Sequence, residues 1–261
     1  IIVLRLDLFS ESLGPGEITG SANTTEFVEE KISLQQVAMD QLNAPKDKQI
    51  LFGDLHVHST YSADAHQWSL PIVGGTGLHP VADACDFARH CSALDFWAIT
   101  DHAEGLSKRM WDDTIASLRS CSSETKGNPS DLIAFAGWEW TQMGNSPKTH
   151  YGHKNIILRS LNEVPDKPIG AGNTGIDLII ESPFTPAALL IADFPPESID
   201  LDFLKYRRTI YSTPICSQNR QNPSSECRED APTPEILFNK LDQLSLDSLV
   251  IPHGTTWGIH A

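Results

Sequence analysis

The run Phe52-Gly53-Asp54-Leu55-His56-Val57-His58-Ser59-Thr60-Tyr61-Ser62-Ala63-Asp64-Ala65 constrains this chain more than any other stretch. Ile50 to Val57 has the apolar content of a buried strand, and small polar residues then end it as a loop would. Side chains of a strand alternate with a period of two, so His56 and His58 project to one face and Asp54 falls on it too. Two imidazoles brought together at the end of a buried strand cost desolvation, and a metal ion offsets that cost. Asp54 is placed to orient an imidazole from behind. A His-x-His pair alone is common by chance, so the weight falls on what else reaches that end.

Further along, the same pattern repeats: an apolar strand, an ionisable residue at its end, then a helix. Leu94 to Thr100 reads as a second strand with Asp101-His102 at its carboxyl end. Leu132 to Gly137 reads as a third that runs into Trp138-Glu139-Trp140, and Lys154 to Leu158 as a fourth with His153 before it. Leu249 to Pro252 is a last strand, followed by His253. Helices are expected at Pro80 to Cys91, Lys108 to Cys121 and Thr233 to Leu244, the last with Pro234 and Glu235 in its first turn. Parallel α/β sheets and barrels build their sites beyond the carboxyl ends of strands. His153 stands at an entry end, which points to an antiparallel or irregular element there.

Ahead of this unit, residues 1–48 form an exposed arm and an amphipathic helix. Phe27, Val28, Ile32, Leu34, Val37, Ala38 and Leu42 mark the apolar side of that helix between Thr25 and Asn43. The unit itself covers 49–261, with a loop-rich insertion at about 160–232 in which Asp177 to Ile180 and Ala187 to Ala192 are short apolar pieces. A formal net charge of -15 argues against an extended grip on nucleic acid, which needs clustered Lys and Arg. It leaves room for a small phosphorylated substrate, because a bound cation reverses the local field. No apolar run is long enough to span a membrane. Cys85, Cys91 and Cys121 read as small buried apolar residues, whereas Cys216 and Cys227 bracket a polar loop that a disulfide could close. That bond would favour a periplasmic or secreted location.

With these residues assembled, the chain resembles the polymerase and histidinol phosphatase (PHP) superfamily, in particular its DUF3604 branch. The resemblance rests on residues 52–65, Ala-Ile-Thr-Asp-His at 98–102, Gly-Trp-Glu-Trp-Thr at 137–141, His-Lys-Asn-Ile-Ile at 153–157 and Ile-Pro-His-Gly-Thr-Thr-Trp-Gly at 251–258, in the family's order. It implies an α/β fold, a distorted (β/α)7 barrel, with two or three divalent transition metals (Zn, Mn or Fe) at the carboxyl ends of its strands. By the same resemblance His56 and His58 look like ligands of a first metal, and Glu139 like a carboxylate bridging two. His153 and His253 resemble ligands of the second, and His102 with Asp64 those of a third. Asp101, grouped with Glu139 and His102 in the catalytic set, resembles a residue that acts from behind the ligands. The family closes its site with a late Asp-x-His that has no counterpart here after residue 102, so the barrel is expected to be incomplete at its C-terminal end and completed by a further segment or a second chain.

The chemistry expected of such a site is hydrolysis by a metal-activated water, with a phosphoester as the favoured substrate class. Hydrolysis of an amide or ester by a similar barrel, or a non-catalytic metal-binding module, are the alternatives. Lys154, Arg207 and Arg208 are candidates to hold a phosphate, although solvated surface charge is the favoured reading of them. Trp138, Trp140 and Trp257 flank ligand motifs as pocket walls or as core. His150 lies close enough to compete with His153, and His66, His79, His90 and His260 read as ordinary surface or core residues.

Overall fold

The computed structural model describes residues 14–45, 48–69, 74–75, 77, 79–122, 131–144, 146–172, 215–216 and 227–255. Within them the chain runs α1 (Thr25–Gln41), β1 (Gly53–Val57), α2 (Ala63–Ser69), α3 (Val81–Asp86) continued by a π-helical turn (Phe87–Cys91), and β2 (Phe96–Ile99). A 3₁₀ turn (Ala103–Gly105), α4 (Lys108–Cys121), β3 (Ile133–Phe135), β4 (Gly137–Gln142) and β5 (Gly152–Leu158) come next. Two short strands, β6 (Ile169–Gly170) and β7 (Glu229–Asp230), precede α5 (Pro234–Leu244) and β8 (Ser248–His253). Arg207, Arg208, Trp257, His260 and the apolar pieces at 177–180 and 187–192 lie outside the described residues.

Local chemistry sets the helix starts. Thr24, Ser107 and Thr233 each accept an N–H from three residues ahead, capping α1, α4 and α5, and Pro234 occupies the first turn of α5 where its missing N–H costs nothing. The helix over 25–41 forms as expected, but its apolar residues do not pack as an amphipathic stripe. Val28 and Met39 are buried, while Phe27, Ile32, Leu34 and Val37 stay exposed. Polar bonds attach α1 instead: Lys31 Nζ reaches Asp95 at 2.7 Å and the Ala93 carbonyl at 2.9 Å.

The fold is mixed α/β, with three small sheets among the described residues, ordered β1-β2-β3, β4-β5-β8 and β6-β7; none of them is closed into a barrel. The first is parallel throughout, and the second antiparallel. A parallel bridge between His102 and Glu139 joins β2 to β4, with the Glu139 N–H on the Asp101 carbonyl at 3.0 Å. Gly137 sits at this junction because a Cβ there would stand 2.6 Å from the Ile156 carbonyl oxygen and 2.9 Å from that of Ile99. Traced from strand to strand, β1, β2, β4 and β8 all point their carboxyl ends the same way. Among the strands linked by these pairings β5 alone runs against them, so its amino end, which carries His153, arrives at the same place.

Leu158 N–H bonds the Ala136 carbonyl and Arg159 N–H bonds the Asp247 carbonyl, so even-numbered residues of β5 face β4 and odd-numbered ones face β8. Opposite them, Ser248, Val250 and Pro252 present their backbone groups to the outer edge of β8, where Pro252 has no N–H to offer. The core lies behind the sheets, built on Trp97, Trp111, Trp138, Trp140, Ile99, Leu118, Leu132 and Ile156. Trp138 and Trp140 alternate with Glu139 onto this side and donate their indole N–H groups to the Ile169 and Ala231 carbonyls. They are core, not walls of the site.

Two disulfides are present. Cys216–Cys227 closes the polar loop, and Cys85–Cys121 ties α3 to α4. The second corrects the expectation that these two cysteines are simple apolar filler: both are buried, but helical position says nothing about which thiols face each other across a helix pair. Cys91, expected to be buried, is exposed at the end of the π-helical turn. Replacing both Cys85 and Cys121 by Ala should lower unfolding free energy by about 2–4 kcal/mol. Urea denaturation of the double variant measures this, and an unchanged midpoint would show that the cross-link is not formed in the folded protein.

Candidate metal centre

Glu139 stands at the centre of the site, on β4, with only 1% of its side chain exposed. Its Oε2 is 3.0 Å from His56 Nε2 and 3.0 Å from His58 Nε2. Its Oε1 is 3.1 Å from His253 Nε2, 3.8 Å from His102 Nδ1, and in close contact with His153 Nδ1. Cross-strand register explains the meeting. Thr141 opposes His153 and His153 opposes His253, while Glu139 opposes Asn155, so these residues share one face of the second sheet. Gly152 and Gly254, both at positive φ, permit the approach behind the two imidazoles: a Cβ on Gly254 would lie 2.8 Å from His153 Cδ2.

His56 and His58 come from β1, whose pairing with β2 slips between Asp54 and Val57. This bulge adds a residue at Leu55-His56 and re-aims the side chains beyond it. It leaves His56 and His58 side by side over Glu139, their ring centroids 5.0 Å apart. It also breaks the alternation that would have put Asp54 with them. Asp54 is exposed and its Oδ1 accepts the backbone N–H of His56 at 2.9 Å, so the expectation that it supports a ring is corrected to support of the strand end.

A second group adjoins the first. Asp64 stands 3.4 Å by Oδ1 from His58 Nδ1 and 3.4 Å by Oδ2 from His102 Nε2. Three overlapping sets result, His56/His58/Glu139, His58/Asp64/His102 and His102/Glu139/His153, each with ligand atoms all within 4.8 Å of one another. Asp101 is buried beside them but touches none of the rings. It accepts the Ser59 N–H at 2.6 Å and the Ser59 hydroxyl at 2.7 Å, anchoring the loop after β1. His150 is turned away, with Nε2 on the Gly254 carbonyl at 3.1 Å, so it does not displace His153. Lys154 is also off the site: it is buried on the Trp face, its ammonium 4.6 Å from the Trp140 ring centroid and 2.8 Å from the Tyr151 carbonyl. It is neither a phosphate ligand here nor a solvated surface charge.

Three residues outside the set expected from the sequence complete the arrangement. The Thr141 hydroxyl lies 2.6 Å from His102 Nδ1 and 3.4 Å from Glu139 Oε1. Its position two beyond Glu139 on a strand is the signal that could have found it, since such residues share a face. Ser62 and Glu104 carry no such signal. Glu104 is buried, and its Oε1 accepts the N–H groups of Thr141 at 3.0 Å and Ala171 at 2.7 Å.

Electrostatics follow from this crowding. Burial alone would raise the Glu139 and Asp64 carboxyls, but hydrogen bonds from the surrounding imidazoles outweigh it and hold both well below the usual carboxylate range. Burial would lower His58, yet Asp64 and Glu139 push it up to about 10, and they raise His102 in the same way. His253 is held below its ordinary value, mainly by burial. Four ring nitrogens converging on two carboxylate oxygens need a proton or a cation in each contact, because facing lone pairs repel. With metal–nitrogen and metal–oxygen bonds of about 2.0–2.2 Å, two atoms on one ion stand roughly 3–4 Å apart, the range found here. Imidazoles mixed with carboxylates suit transition metals better than Ca or Mg. The cluster can therefore hold metal ions.

No family model, curated protein or solved structure matches the chain. What the fold and site define is a mixed α/β protein with a buried His/Glu cluster able to bind metal.

In protein stripped of metal, the raised groups add stability that is complete below pH 6.5 and is lost as pH climbs toward about 10, the folded value of His58. The depressed carboxyls act oppositely, being fully effective above their ordinary 4.5 (Glu139) and 3.8 (Asp64) and losing their effect in acid. On the alkaline side unfolding free energy should therefore decline, by up to about 1.4 kcal/mol per pH unit for each such proton. His58→Gln should flatten that alkaline limb, as followed by urea titration at stepped pH; an unaltered limb would remove His58 from the account.

Proposed function

We propose that this protein is a metal-dependent hydrolase, and within that class a phosphoesterase, using two or three divalent transition ions, Zn, Mn or Fe, held by His56, His58, Asp64, His102, Glu139, His153 and His253. The observation that carries the reading is Glu139: one carboxylate, almost fully buried, with each oxygen turned toward a different pair of imidazoles, as a bridge between two cations requires. The common direction of β1, β2, β4 and β8 supports a barrel of the polymerase and histidinol phosphatase type, in which the carboxyl ends of strands carry the ligands.

Exposure favours catalysis over a purely structural ion. His56 is 44% exposed and Asp64 49%, whereas His102 is 7% exposed, so one side of the cluster is open to a substrate and the other is sealed. When bound, such ions lower the pKa of water toward neutrality and neutralise charge on phosphoryl oxygens. The chain's own residues then do the rest. Glu139 holds two ligand groups at a fixed separation, and Thr141 backs His102 at Nδ1, leaving Nε2 beside Asp64 as the atom that would hold an ion. Asp101 fixes the loop that carries His58. The disulfides support an oxidising compartment, periplasmic or extracellular. The substrate is small, since a formal net charge of -15 disfavours a long polyanion.

Elemental analysis of the purified protein should find two or more transition-metal equivalents per chain, and His58→Ala or Glu139→Ala should remove most of them. Chromogenic phosphate mono- and diesters, assayed beside carboxylic esters with added Mn or Zn, identify the bond cleaved. Full occupancy in both variants would sink the metal assignment, and turnover of carboxylic esters alone would transfer the protein to the amide and ester hydrolases.

A further inference from the structure

Ser62 sits where the loop after β1 turns into α2, and its carbonyl accepts the His66 N–H at 2.9 Å, the first bond of that helix. A serine at this position ordinarily spends its hydroxyl on a free N–H of the first turn. Here the Ala65 N–H is taken by Asp64 Oδ1 at 2.7 Å, and the Ser62 hydroxyl is used elsewhere. It donates to Asp64 Oδ1 at 2.7 Å, lies 2.9 Å from His58 Nδ1 and accepts the His102 backbone N–H at 3.2 Å. One buried hydroxyl therefore touches all three members of the His58/Asp64/His102 group.

A hydroxyl has one hydrogen to donate and two lone pairs to accept with. The Asp64 carboxylate can only accept, so it takes the Ser62 hydrogen, in a charge-assisted bond. Both lone pairs then face donors: the His102 N–H and, by elimination, a hydrogen on His58 Nδ1. The other neighbour of Nδ1 is Asp64 Oδ1 at 3.4 Å, again an acceptor. Nδ1 of His58 thus carries a hydrogen whatever the ring's charge. Only Nε2, 3.0 Å from Glu139 Oε2, is left to give up its proton to a cation.

We propose that Ser62 is a positioning residue that fixes His58 as an Nε2 ligand, aims Asp64, and so sets the cluster's affinity for metal. This rests on the metal reading above and adds a residue outside the ligand set. Partners that orient metal-ligating histidines typically contribute about 10–100-fold in affinity.

The test uses the full chain with zinc as probe, measured by competition with a chromogenic chelator, together with ¹⁵N-histidine NMR. Ser62→Ala should weaken zinc binding about 10–100-fold, and Ser62→Thr, which keeps the hydroxyl, should restore most of it. In zinc-loaded wild type, His58 should show a ligated Nε2 and a protonated Nδ1; in metal-free wild type Nδ1 should still be protonated. Unfolding midpoints of both variants establish that they are folded. Equal zinc affinity for wild type and a folded Ser62→Ala protein, or ligation of His58 through Nδ1, would overturn the assignment. If wild type binds no zinc, Mn or Fe, the metal reading falls and the affinity role falls with it, while a protonated Nδ1 in the metal-free spectrum would still separate that failure from an error in the hydrogen-bond assignment.

Discussion

A single ionised carboxyl, buried where several strands end, is what the rest of this structure is arranged around. Glu139 could not remain charged at that depth in an apolar setting; it does so because imidazoles approach both of its oxygens. Each of those imidazoles needs its own strand, and each strand must arrive from the right direction. The direction of β5, the bulge in β1 and the close packing at Gly137 all serve that one convergence. Removing any of them would leave either a carboxylate without partners or a ring without a carboxylate.

How much of this is legible in the sequence depends on whether an effect is local. Ligand types at strand ends are a local signal, and His56, His58, Glu139, His153 and His253 stand out as a set for that reason. The odd position of His153, ahead of its strand instead of behind one, is itself informative, since β5 does run antiparallel to β4. Most strand limits shift by a few residues, but the expected third strand divides into β3 and β4 in different sheets, so Glu139 lies inside a strand, as His153 and His253 do. Asp54 departs from its expected place because a bulge is invisible to period-two counting. The stripe on α1 misleads for a different reason: periodicity reports which side of a helix is apolar, not whether anything covers that side.

Other parts are non-local and so out of reach. Cys85 and Cys121 are thirty-six residues apart, and nothing short of the packing of α3 on α4 reveals that they meet. Ser62 and Glu104 look ordinary in sequence, because serines are common in loops and a glutamate in a short turn normally faces water. Their meaning comes from burial, which favours a partner for a hydroxyl or carboxyl oxygen, as the Ser62 hydroxyl and Glu104 Oε1 have found. The insertion shows the same principle on a larger scale. Its described ends are drawn in by the Cys216–Cys227 bond, by the Ile215–Arg228 bridge and by contact between Arg228 and the Glu104 carbonyl, so a loop-rich segment is tied to the residue that holds Thr141.

The proline on the outer side of β8 bears on what can stand beside the cluster. A neighbouring strand of any origin would find both kinds of backbone partner at Ser248 and Val250, but only a carbonyl at Pro252. Such a strand can pair along β8 but forgoes one ladder hydrogen bond beside His253. Strand addition is therefore held least firmly at the imidazoles and most firmly at the far end of the sheet.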